Sequence, residues 1–319
     1  MPKVSVVIPV FNGEKTIARC IDSVVCQTLS DIEIIIVNDG STDGTLNVLN
    51  ETCDDRVRII TIPNSGQGMA RNRGIEAATG EYLAFVDADD TIEKEMLDIM
   101  YTSAKKENAD VVQCNLYDIY ERGEKRIQLE TADETVEIAD KGAYTDTYIT
   151  PCRHSYEVCN KLIKRSVIGD LRFKDTRKYF SEDLLFNLEL ISRIKRITFI
   201  STPLYNYYQN DTSHLHTGYE KRLAGLQLLF RDYIKTAQGE MRSAASYTAA
   251  MVLTYSAGAC AESETARKML AGDEFKGYIK NALKRKCKAS HKIFLTAMHL
   301  APLGVKIKLC KMYGGRWQT

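Results

Sequence analysis

The spacing of hydrophobic residues predicts alternating strands and helices over the first ninety residues. Short runs rich in Val and Ile alternate with segments whose apolar residues recur every three or four positions, which is the spacing of one helix face. The predicted strands are residues 4–8, 32–37, 57–62 and 82–86, and the predicted helices are residues 14–27, 41–49 and 69–78. Such alternation favours an α/β fold with a mostly parallel sheet flanked by helices.

The pattern is less regular after residue 90. Helices are predicted at residues 93–107 and 182–194 and strands at 109–116, 160–168 and 197–208, while residues 120–141 fit no single element. From about residue 219 the clear patterns are helical, with residues 219–236 and 244–261 the best candidates. We therefore predict a first domain over residues 1–215 and a helical C-terminal extension over residues 216–319.

Basic residues are concentrated at the C-terminal end. The chain has 43 Lys and Arg against 42 Asp and Glu, yet residues 280–319 hold ten basic residues and no acidic one. Because these surround the short apolar segment 293–300, they suit an amphipathic helix at an anionic membrane surface, and we expect no nucleic-acid partner. The alternative is a helix that packs its apolar side on the rest of the chain.

The nine cysteines are scattered and show no spacing typical of zinc sites. Reduced thiols of this kind are typical of cytosolic proteins. The opening residues lead into the first predicted strand with no signal-peptide pattern, and no apolar stretch reaches the roughly 18 residues of a membrane span. We expect a cytoplasmic protein, peripheral on the inner face of the cytoplasmic membrane where its basic tail meets lipid.

Three polar clusters follow strands of the predicted sheet. They are Phe11-Asn12-Gly13-Glu14, Asn38-Asp39-Gly40-Ser41 and Asp87-Ala88-Asp89-Asp90. Parallel strands bind ligands at their C-terminal ends, so the three clusters should meet at one edge. Carboxylates of an Asp-x-Asp turn suit Mg²⁺ or Mn²⁺ shared with phosphates, although such turns also occur as plain surface turns or helix caps.

Two familiar phosphate-binding patterns are absent from the sequence. A dinucleotide-binding unit needs Gly-x-Gly-x-x-Gly after its first strand, where this chain has Pro9-Val10-Phe11-Asn12-Gly13. The sequence also contains no Gly-Lys-Ser/Thr phosphate loop. Hydride transfer and ATP hydrolysis are therefore not expected.

Four motifs together resemble glycosyltransferase family 2, the inverting enzymes with the GT-A fold. They are Ser5-Val6-Val7-Ile8-Pro9-Val10-Phe11-Asn12, Ile36-Val37-Asn38-Asp39-Gly40-Ser41-Thr42-Asp43, Gly66-Gln67-Gly68-Met69-Ala70-Arg71-Asn72 and Phe85-Val86-Asp87-Ala88-Asp89-Asp90. The resemblance covers about residues 3–210. It implies a GT-A-like, Rossmann-like domain over residues 1–215, with a nucleotide-sugar half at about 1–90 and an acceptor half at about 91–215.

The resemblance also implies a donor site. Its nucleotide pocket would be formed by Pro9, Phe11, Glu14, Asp39 and Ser41, with Asp39 accepting a hydrogen bond from uracil. Asp87 would lie near the ribose, Ala88 would belong to the same donor site, and Asp89 would bind the Mn²⁺ or Mg²⁺ that bridges the diphosphate. Gly66 and Gly68 of the donor site would permit a close backbone approach, and Arg71 would face the sugar-nucleotide, although Arg71 equally fits a residue that caps or braces a helix.

The second half resembles the family at two further motifs. Ser181-Glu182-Asp183-Leu184-Leu185-Phe186 matches its Glu-Asp motif, in which a carboxylate takes the proton of the acceptor hydroxyl. We choose Asp183, with Glu182 as the alternative. Lys161, in Asn160-Lys161-Leu162, would contact the acceptor or the diphosphate, or else be a solvated strand residue. His214 is a candidate metal or phosphate contact.

The function implied is metal-dependent transfer of one sugar with inversion. The donor would be a nucleotide-sugar, UDP-linked, and the acceptor a hydroxyl of a glycan or a lipid-linked oligosaccharide in bacterial cell-surface polysaccharide synthesis. One alternative is a catalytically silent subunit that keeps the fold and binds ligand. A nucleotidyltransferase is the other, although the glycine- and arginine-rich loop that it needs after the first strand is missing.

Overall fold

The computed structural model describes residues 1–120, 123–127, 132–144, 156–209, 219–284 and 289–314. These residues form two compact units. The first contains the described residues of 1–139, 152–177 and 182–210, and the second contains those of 140–151, 178–181 and 211–319. The predicted boundary between residues 215 and 216 lies outside the described residues and stays a prediction.

Ten strands are found in the described part of the first unit. They are β1 (Val4–Val10), β2 (Ile32–Asn38), β3 (Val57–Thr61), β4 (Tyr82–Phe85), β5 (Thr91–Ile92), β6 (Val111–Ile119), β7 (Lys125–Ile127), β8 (Glu134–Glu137), β9 (Lys161–Lys164) and β10 (Arg196–Tyr208). They form one sheet in the order β3-β2-β1-β4-β9-β6-β10-β5, with β7 beside β6 and β8 beside β10.

The sheet is mixed, and its parallel part is the one that the N-terminal pattern predicts. Strands β1 to β4 pair in parallel, as do β6 and β10. Between these two sets lies β9, which is antiparallel to both β4 and β6. All seven residues of β1 are buried, as expected for a central strand covered on both faces. The α/β class with flanking helices is confirmed.

Thirteen helices occur among the described residues. They are α1 (Ile17–Val25), α2 (Thr45–Asn50), α3 (Gln67–Ala77), α4 (Met96–Glu107), α5 (Lys141–Tyr144), α6 (Arg165–Ile168), α7 (Glu182–Ile191), α8 (Tyr219–Thr236), α9 (Gly239–Ala259), α10 (Glu264–Ala271), α11 (Asp273–Ala282), α12 (Ala289–Leu300) and α13 (Leu303–Gly314). The second unit contains α5 and α8 to α13, which confirms the expected helical character of the C-terminal part. No described helix is both long and apolar enough to cross a membrane.

Three predicted elements need correction. The predicted strand at 160–168 is the short strand β9 followed by helix α6, since only Lys161–Lys164 pair with β4 and β6. The unassigned segment 120–141 holds β7 and β8, whose residues are mostly exposed and so lack the alternation that reveals a strand. Helix α2 begins at Thr45, later than the predicted start at residue 41. Asp43 Oδ1 accepts a hydrogen bond from the amide of Thr45 at 3.0 Å, whereas Ser41 Oγ accepts from the amide of Asn12.

Candidate active site

The loops that follow β1 and β2 are joined by side-chain hydrogen bonds. The amide of Asn12 donates to Ser41 Oγ at 2.9 Å, and Asn12 Oδ1 accepts from the amide of Thr42 at 2.8 Å. Glu14 Oε2 accepts from the amide of Gly44 at 2.6 Å. Because β1 and β2 are parallel neighbours, their C-terminal ends meet. Glu14 and Ser41 of the predicted site therefore lie where the loop after β1 is hydrogen-bonded to the loop after β2.

Pro9 and Phe11 lie at the C-terminal end of β1 and differ in solvent exposure. Pro9 is buried within β1, where it pairs with Val37 of β2. Phe11 follows the strand directly and keeps 49% of its surface exposed. An exposed aromatic ring at the C-terminal edge of a sheet offers a stacking face to a planar base.

Asp39 connects the end of β2 to the loop before α3. The residue is buried, and its two carboxylate oxygens accept hydrogen bonds from the amides of Ser65 at 2.7 Å and Gly66 at 2.8 Å. Gly66 has a φ of +92°, a conformation that a residue with a Cβ rarely adopts. Each oxygen retains a second lone pair, so this carboxylate can hold the loop and still accept from a ligand.

Gly68 permits close packing within the first unit. A Cβ at this position would lie 2.5 Å from the carbonyl oxygen of Lys174 and 3.2 Å from the Cβ of Phe173. The close approach that the sequence predicts at Gly68 is therefore made by the protein segment around residue 174.

Arg71 is the centre of a buried charge cluster. It lies on α3 with 2% of its side chain exposed, and its terminal nitrogens contact three carboxylates: Asp87 at 2.8 Å, Asp183 at 2.6 Å and Glu182 at 3.2 Å. Its Nε has no hydrogen-bond partner among the described residues. Its charge links α3 to Asp87, 16 residues further along the chain, and to Glu182 and Asp183, more than 110 residues further along. That Arg71 faces the sugar-nucleotide stays a prediction.

Burial and charge act in opposite directions in this cluster. Desolvation raises the pKa of Asp183 to about 7, and the nearby Arg71 charge opposes that rise. Desolvation also raises the pKa of Glu182, again against the Arg71 charge. Burial alone would lower the pKa of Arg71, but the three carboxylates outweigh it and raise the pKa. A raised pKa suits a carboxyl that has to accept a proton near neutral pH.

The turn after β4 is fixed by contacts to its first and last aspartates. Asp87 Oδ1 accepts from Arg71 and, at 3.0 Å, from Gln67 Nε2. The amide of Asp87 donates to the hydroxyl of Tyr205 at 3.1 Å, and that hydroxyl donates to Asp90 Oδ2 at 2.7 Å. Tyr205 and Asp90 are both fully buried. One tyrosine of β10 therefore bridges both ends of the Asp-x-Asp turn.

Asp89 lies within this turn and is exposed, after the half-buried Ala88. Partial desolvation and then the negative charge of Asp87 raise the pKa of Asp89. No ion pair of Asp89 with a lysine or arginine is found among the described residues, although Arg19 donates to its carbonyl oxygen at 2.6 Å. The carboxylate is therefore available to a cation.

The donor atoms fit a divalent cation that is shared with a ligand. No group of three or more His, Cys, Asp or Glu residues arranged to hold a metal is found in the described ranges. Mg²⁺ commonly takes one or two protein carboxylates and completes its shell with phosphate oxygens and water. The exposed Asp89, with Asp87 two residues away, fits that arrangement. The predicted contact His214 lies outside the described residues.

Lys161 is fully buried in β9, so the alternative of a solvated strand residue is wrong. Its Nζ donates to the carbonyl of Glu157 and, at 3.2 Å, to Asn160 Oδ1. Burial lowers the pKa of Lys161 to about 8, and the charges of Glu157 and Asp183 oppose that fall. The amine is thus held inside the first unit, within electrostatic range of Asp183.

Three residues of this region were not predicted from the sequence. Gln67, Asp90 and Tyr205 hold the Asp-x-Asp turn by the contacts described above. The only sequence signal for Asp90 is its place next to the motif. Tyr205 lies 115 residues away, in a strand whose pattern gives no indication of its hydroxyl's partners.

Comparison with known proteins relates the chain to one family. Residues 5–172 match the family model described as Glycosyl transferase family 2. The uncharacterized glycosyltransferase EpsJ of Bacillus subtilis is 32% identical over 242 residues, which cover 70% of this chain and 70% of that relative.

Two solved structures are similar in fold. The crystal structure of S. aureus TarS 1–349 in complex with UDP-GlcNAc has a TM-score of 0.67 at 20% identity, covering 99% of this chain and 91% of that one. The mannosyltransferase PcManGT of Pyrobaculum calidifontis, in complex with GDP-Man and Mn²⁺, has a TM-score of 0.57 at 15% identity and covers 100% and 88%. At these identities the likeness concerns the fold alone.

Proposed function

Because the chain belongs to glycosyl transferase family 2, we propose that it transfers one sugar from a UDP-sugar to an acceptor hydroxyl with inversion at the anomeric carbon. One observation carries the proposal: Arg71 joins Asp87 of the turn after β4 to Asp183 at the start of α7. Direct displacement needs the donor and the proton acceptor side by side. A cluster that joins these two carboxylates meets that need.

The donor nucleotide binds, in this proposal, at the C-terminal edge of β1, β2 and β4. The ring of Phe11 stacks on the base beside Pro9, and Asp39 accepts a hydrogen bond from it. Glu14 and Ser41 shape the pocket, while Asp87, Ala88, Gly68 and Arg71 line the path toward the sugar. The choice of UDP is supported by the TarS structure, which contains UDP-GlcNAc.

A divalent cation, Mn²⁺ or Mg²⁺, is the proposed cofactor. Asp89 would hold it, with His214 as a second proposed contact, and the Mn²⁺ in PcManGT supports this choice. When bound, such a cation stabilises the negative charge that develops on the departing diphosphate. The protein's own part is to present the Asp89 carboxylate from a turn that Tyr205 and Asp90 hold in place.

Asp183 is the proposed general base. Its carboxylate takes the proton of the acceptor hydroxyl while that oxygen bonds to the anomeric carbon and the nucleoside diphosphate leaves with the bonding electrons. Arg71 fixes the carboxylate's position through a 2.6 Å contact. Glu182 contacts the same guanidinium at 3.2 Å and remains the alternative base. Lys161 is proposed to contact the acceptor or the diphosphate.

The proposed acceptor is a glycan or a lipid-linked oligosaccharide of a bacterial cell surface. A lipid-linked acceptor is reached at a membrane, and the ten basic residues of the 280–319 segment suit an anionic one. We propose a cytoplasmic enzyme that works at the inner face of the membrane.

A thermal-shift screen of UDP, GDP, TDP and CMP, with and without Mn²⁺, tests the donor site. A ligand that binds only the folded state raises the apparent melting temperature. We expect the largest shift with UDP, dependent on Mn²⁺ and lost in Asp89→Asn. The absence of any nucleotide response would contradict the proposal.

Two outcomes would favour the alternatives. A silent binding subunit predicts that UDP binds while Asp89→Asn and Asp183→Asn leave the biological output unchanged. A nucleotidyltransferase predicts pyrophosphate release when a sugar phosphate is mixed with a nucleoside triphosphate. Either result would replace the transferase proposal.

A further inference from the structure

The two C-terminal helices of the second unit divide their apolar residues between an inner and an outer face. On α12, Phe294, Leu295 and Met298 are buried, and on α13, Ile307 and Cys310 are buried. These residues pack within the unit, where α12 contacts α11 and α13 contacts α9 and α10. The alternative from the sequence, a helix that packs its apolar side on the rest of the chain, therefore explains why the residues of the inner face are apolar.

Packing of the inner face leaves four large apolar side chains of α12 and α13 unexplained. Ile293 and Leu300 of α12 are 72% and 76% exposed, and Val305 and Met312 of α13 are 46% and 65% exposed. In each helix the two residues are seven positions apart, which is two turns, so they share one face. These four residues are called the outer apolar set below. They form one pair on each helix, with the same spacing in both pairs.

The charged residues on α12 and α13 themselves have a single sign. Lys292 and Lys308 are exposed, as are Lys280 and Lys284 before α12, whereas the exposed Lys311 forms an ion pair with Glu262. Lys308 lies three residues after Val305 and four before Met312, on the same face of α13. Residues 280–319 contain no Asp or Glu, while the preceding residues have 33 basic against 42 acidic side chains.

We propose that the outer apolar set and its lysines form a surface that binds an anionic lipid membrane. Exposed apolar side chains enter the boundary between headgroups and acyl chains, while lysine ammonium groups pair with lipid phosphates. A protein partner would need acidic and apolar groups in a matching arrangement, whereas an anionic bilayer provides both over any area. The charge of the surface therefore selects lipid as the occupant. Neither helix is long and apolar enough to span, so the contact is peripheral.

This inference does not depend on the proposed sugar transfer, since membrane binding is measured without a donor or an acceptor. The full chain is floated with vesicles of phosphatidylcholine, with and without phosphatidylglycerol, at low and at high salt. We expect co-flotation with the phosphatidylglycerol vesicles, weakened by salt, and little with phosphatidylcholine alone. No binding to the anionic vesicles, or equal binding to both kinds, would overturn the proposal.

Matched variants locate the surface. Ile293→Asp combined with Met312→Asp should reduce vesicle binding at least tenfold, whereas Ile127→Asp, at a 50% exposed position of β7, should leave it unchanged. Lys292→Gln and Lys308→Gln should each reduce binding about fivefold. Lys221→Gln, an exposed lysine on α8, is the control for charge. Because all these positions are exposed, circular dichroism should show unchanged folding.

A second copy of this chain is the competing occupant. Light scattering of the same variants separates the two cases. If Ile293→Asp with Met312→Asp converts a dimer to a monomer and leaves vesicle binding unchanged, the outer apolar set is an interface between copies, and the membrane proposal is wrong.

Discussion

The guanidinium of Arg71 donates a 2.6 Å hydrogen bond to Asp183, 112 residues further along the chain. The same side chain contacts Asp87 at 2.8 Å from its other terminal nitrogen. One buried cation therefore links the turn after the fourth strand to the start of α7. A shift of either carboxylate therefore changes the position of the guanidinium and, through it, the contact with the other carboxylate.

Replacing Arg71 with Met should destabilise the fold strongly. Removal of the cation leaves three partly buried carboxylates without a compensating charge. Such a loss costs about 3–5 kcal/mol where the remaining charge is fully buried, and we expect a smaller loss of about 2–4 kcal/mol here. The loss in the free energy of unfolding should be smaller at acid pH, where Asp183 and Glu182 are protonated and carry no charge that needs a partner. Urea unfolding at several pH values measures both effects.

Arg73→Met is the matched control for this experiment. Arg73 lies on the same helix but is 49% exposed, in an i,i+3 pair with Glu76. Its removal should change stability by less than about 0.5 kcal/mol. Equal losses for the two variants would contradict the role given to the buried cluster.

The rate of transfer should rise with pH through the neutral range. Asp183 must be ionised to accept a proton, and burial raises its pKa to about 7, so activity is lost as pH falls below that value. Asp183→Asn should lower kcat by about 10²–10⁴-fold. A pH profile of kcat/KM measures the rising limb.

Glu182→Gln distinguishes the two candidate bases. Loss of its charge removes a negative neighbour that raises the pKa of Asp183, so the rising limb should move to lower pH and activity should persist. Glu189→Gln, on the same helix, should leave the limb in place. If Glu182→Gln abolishes transfer while Asp183→Asn retains it, the assignment of the base is reversed.

Tyr205→Phe should weaken metal binding more than it weakens the fold. The substitution removes only the hydroxyl that links the amide of Asp87 to the carboxylate of Asp90. The turn then loses its anchor, and we expect a higher Mn²⁺ concentration at half-maximal activity with a smaller change in kcat. Tyr101→Phe is the control, because that hydroxyl donates to Glu81, away from the turn. Equal Mn²⁺ dependence in the two variants would contradict a positioning role.

Gly68→Ala and Gly277→Ala should have opposite effects on stability. At Gly68 the new Cβ would lie 2.5 Å from a backbone oxygen, so the backbone must shift, at a loss of about 1–3 kcal/mol. At Gly277, inside α11, nothing lies within 4 Å of the added Cβ, and alanine should stabilise the helix by about 0.5–1 kcal/mol. Thermal unfolding of both variants measures the difference. Two losses of equal size would contradict the close packing at Gly68.

The N-terminal elements were predictable because their signals are local. Strands β1 to β4 are apolar runs closed by polar turns, and the edge where Asp39 and Asp87 lie follows from parallel order. The antiparallel β9 was not predictable, since four residues carry too little periodicity to reveal their direction. The Arg71 cluster and the Tyr205 bridge depend on contacts between residues more than 100 positions apart, which one sequence does not encode in any local pattern.

Release of UDP from a panel of UDP-sugars in the presence of Mn²⁺ measures whether this chain breaks the bond between the sugar and the diphosphate. Water replaces the unidentified acceptor in this slow reaction, so the measurement needs only the donor. We expect UDP release from at least one UDP-sugar, reduced by about 10²-fold or more in Asp183→Asn, whose melting temperature should still rise with UDP. Undiminished release by Asp183→Asn, or no release by the wild-type chain from any UDP-sugar, would contradict the proposed sugar transfer.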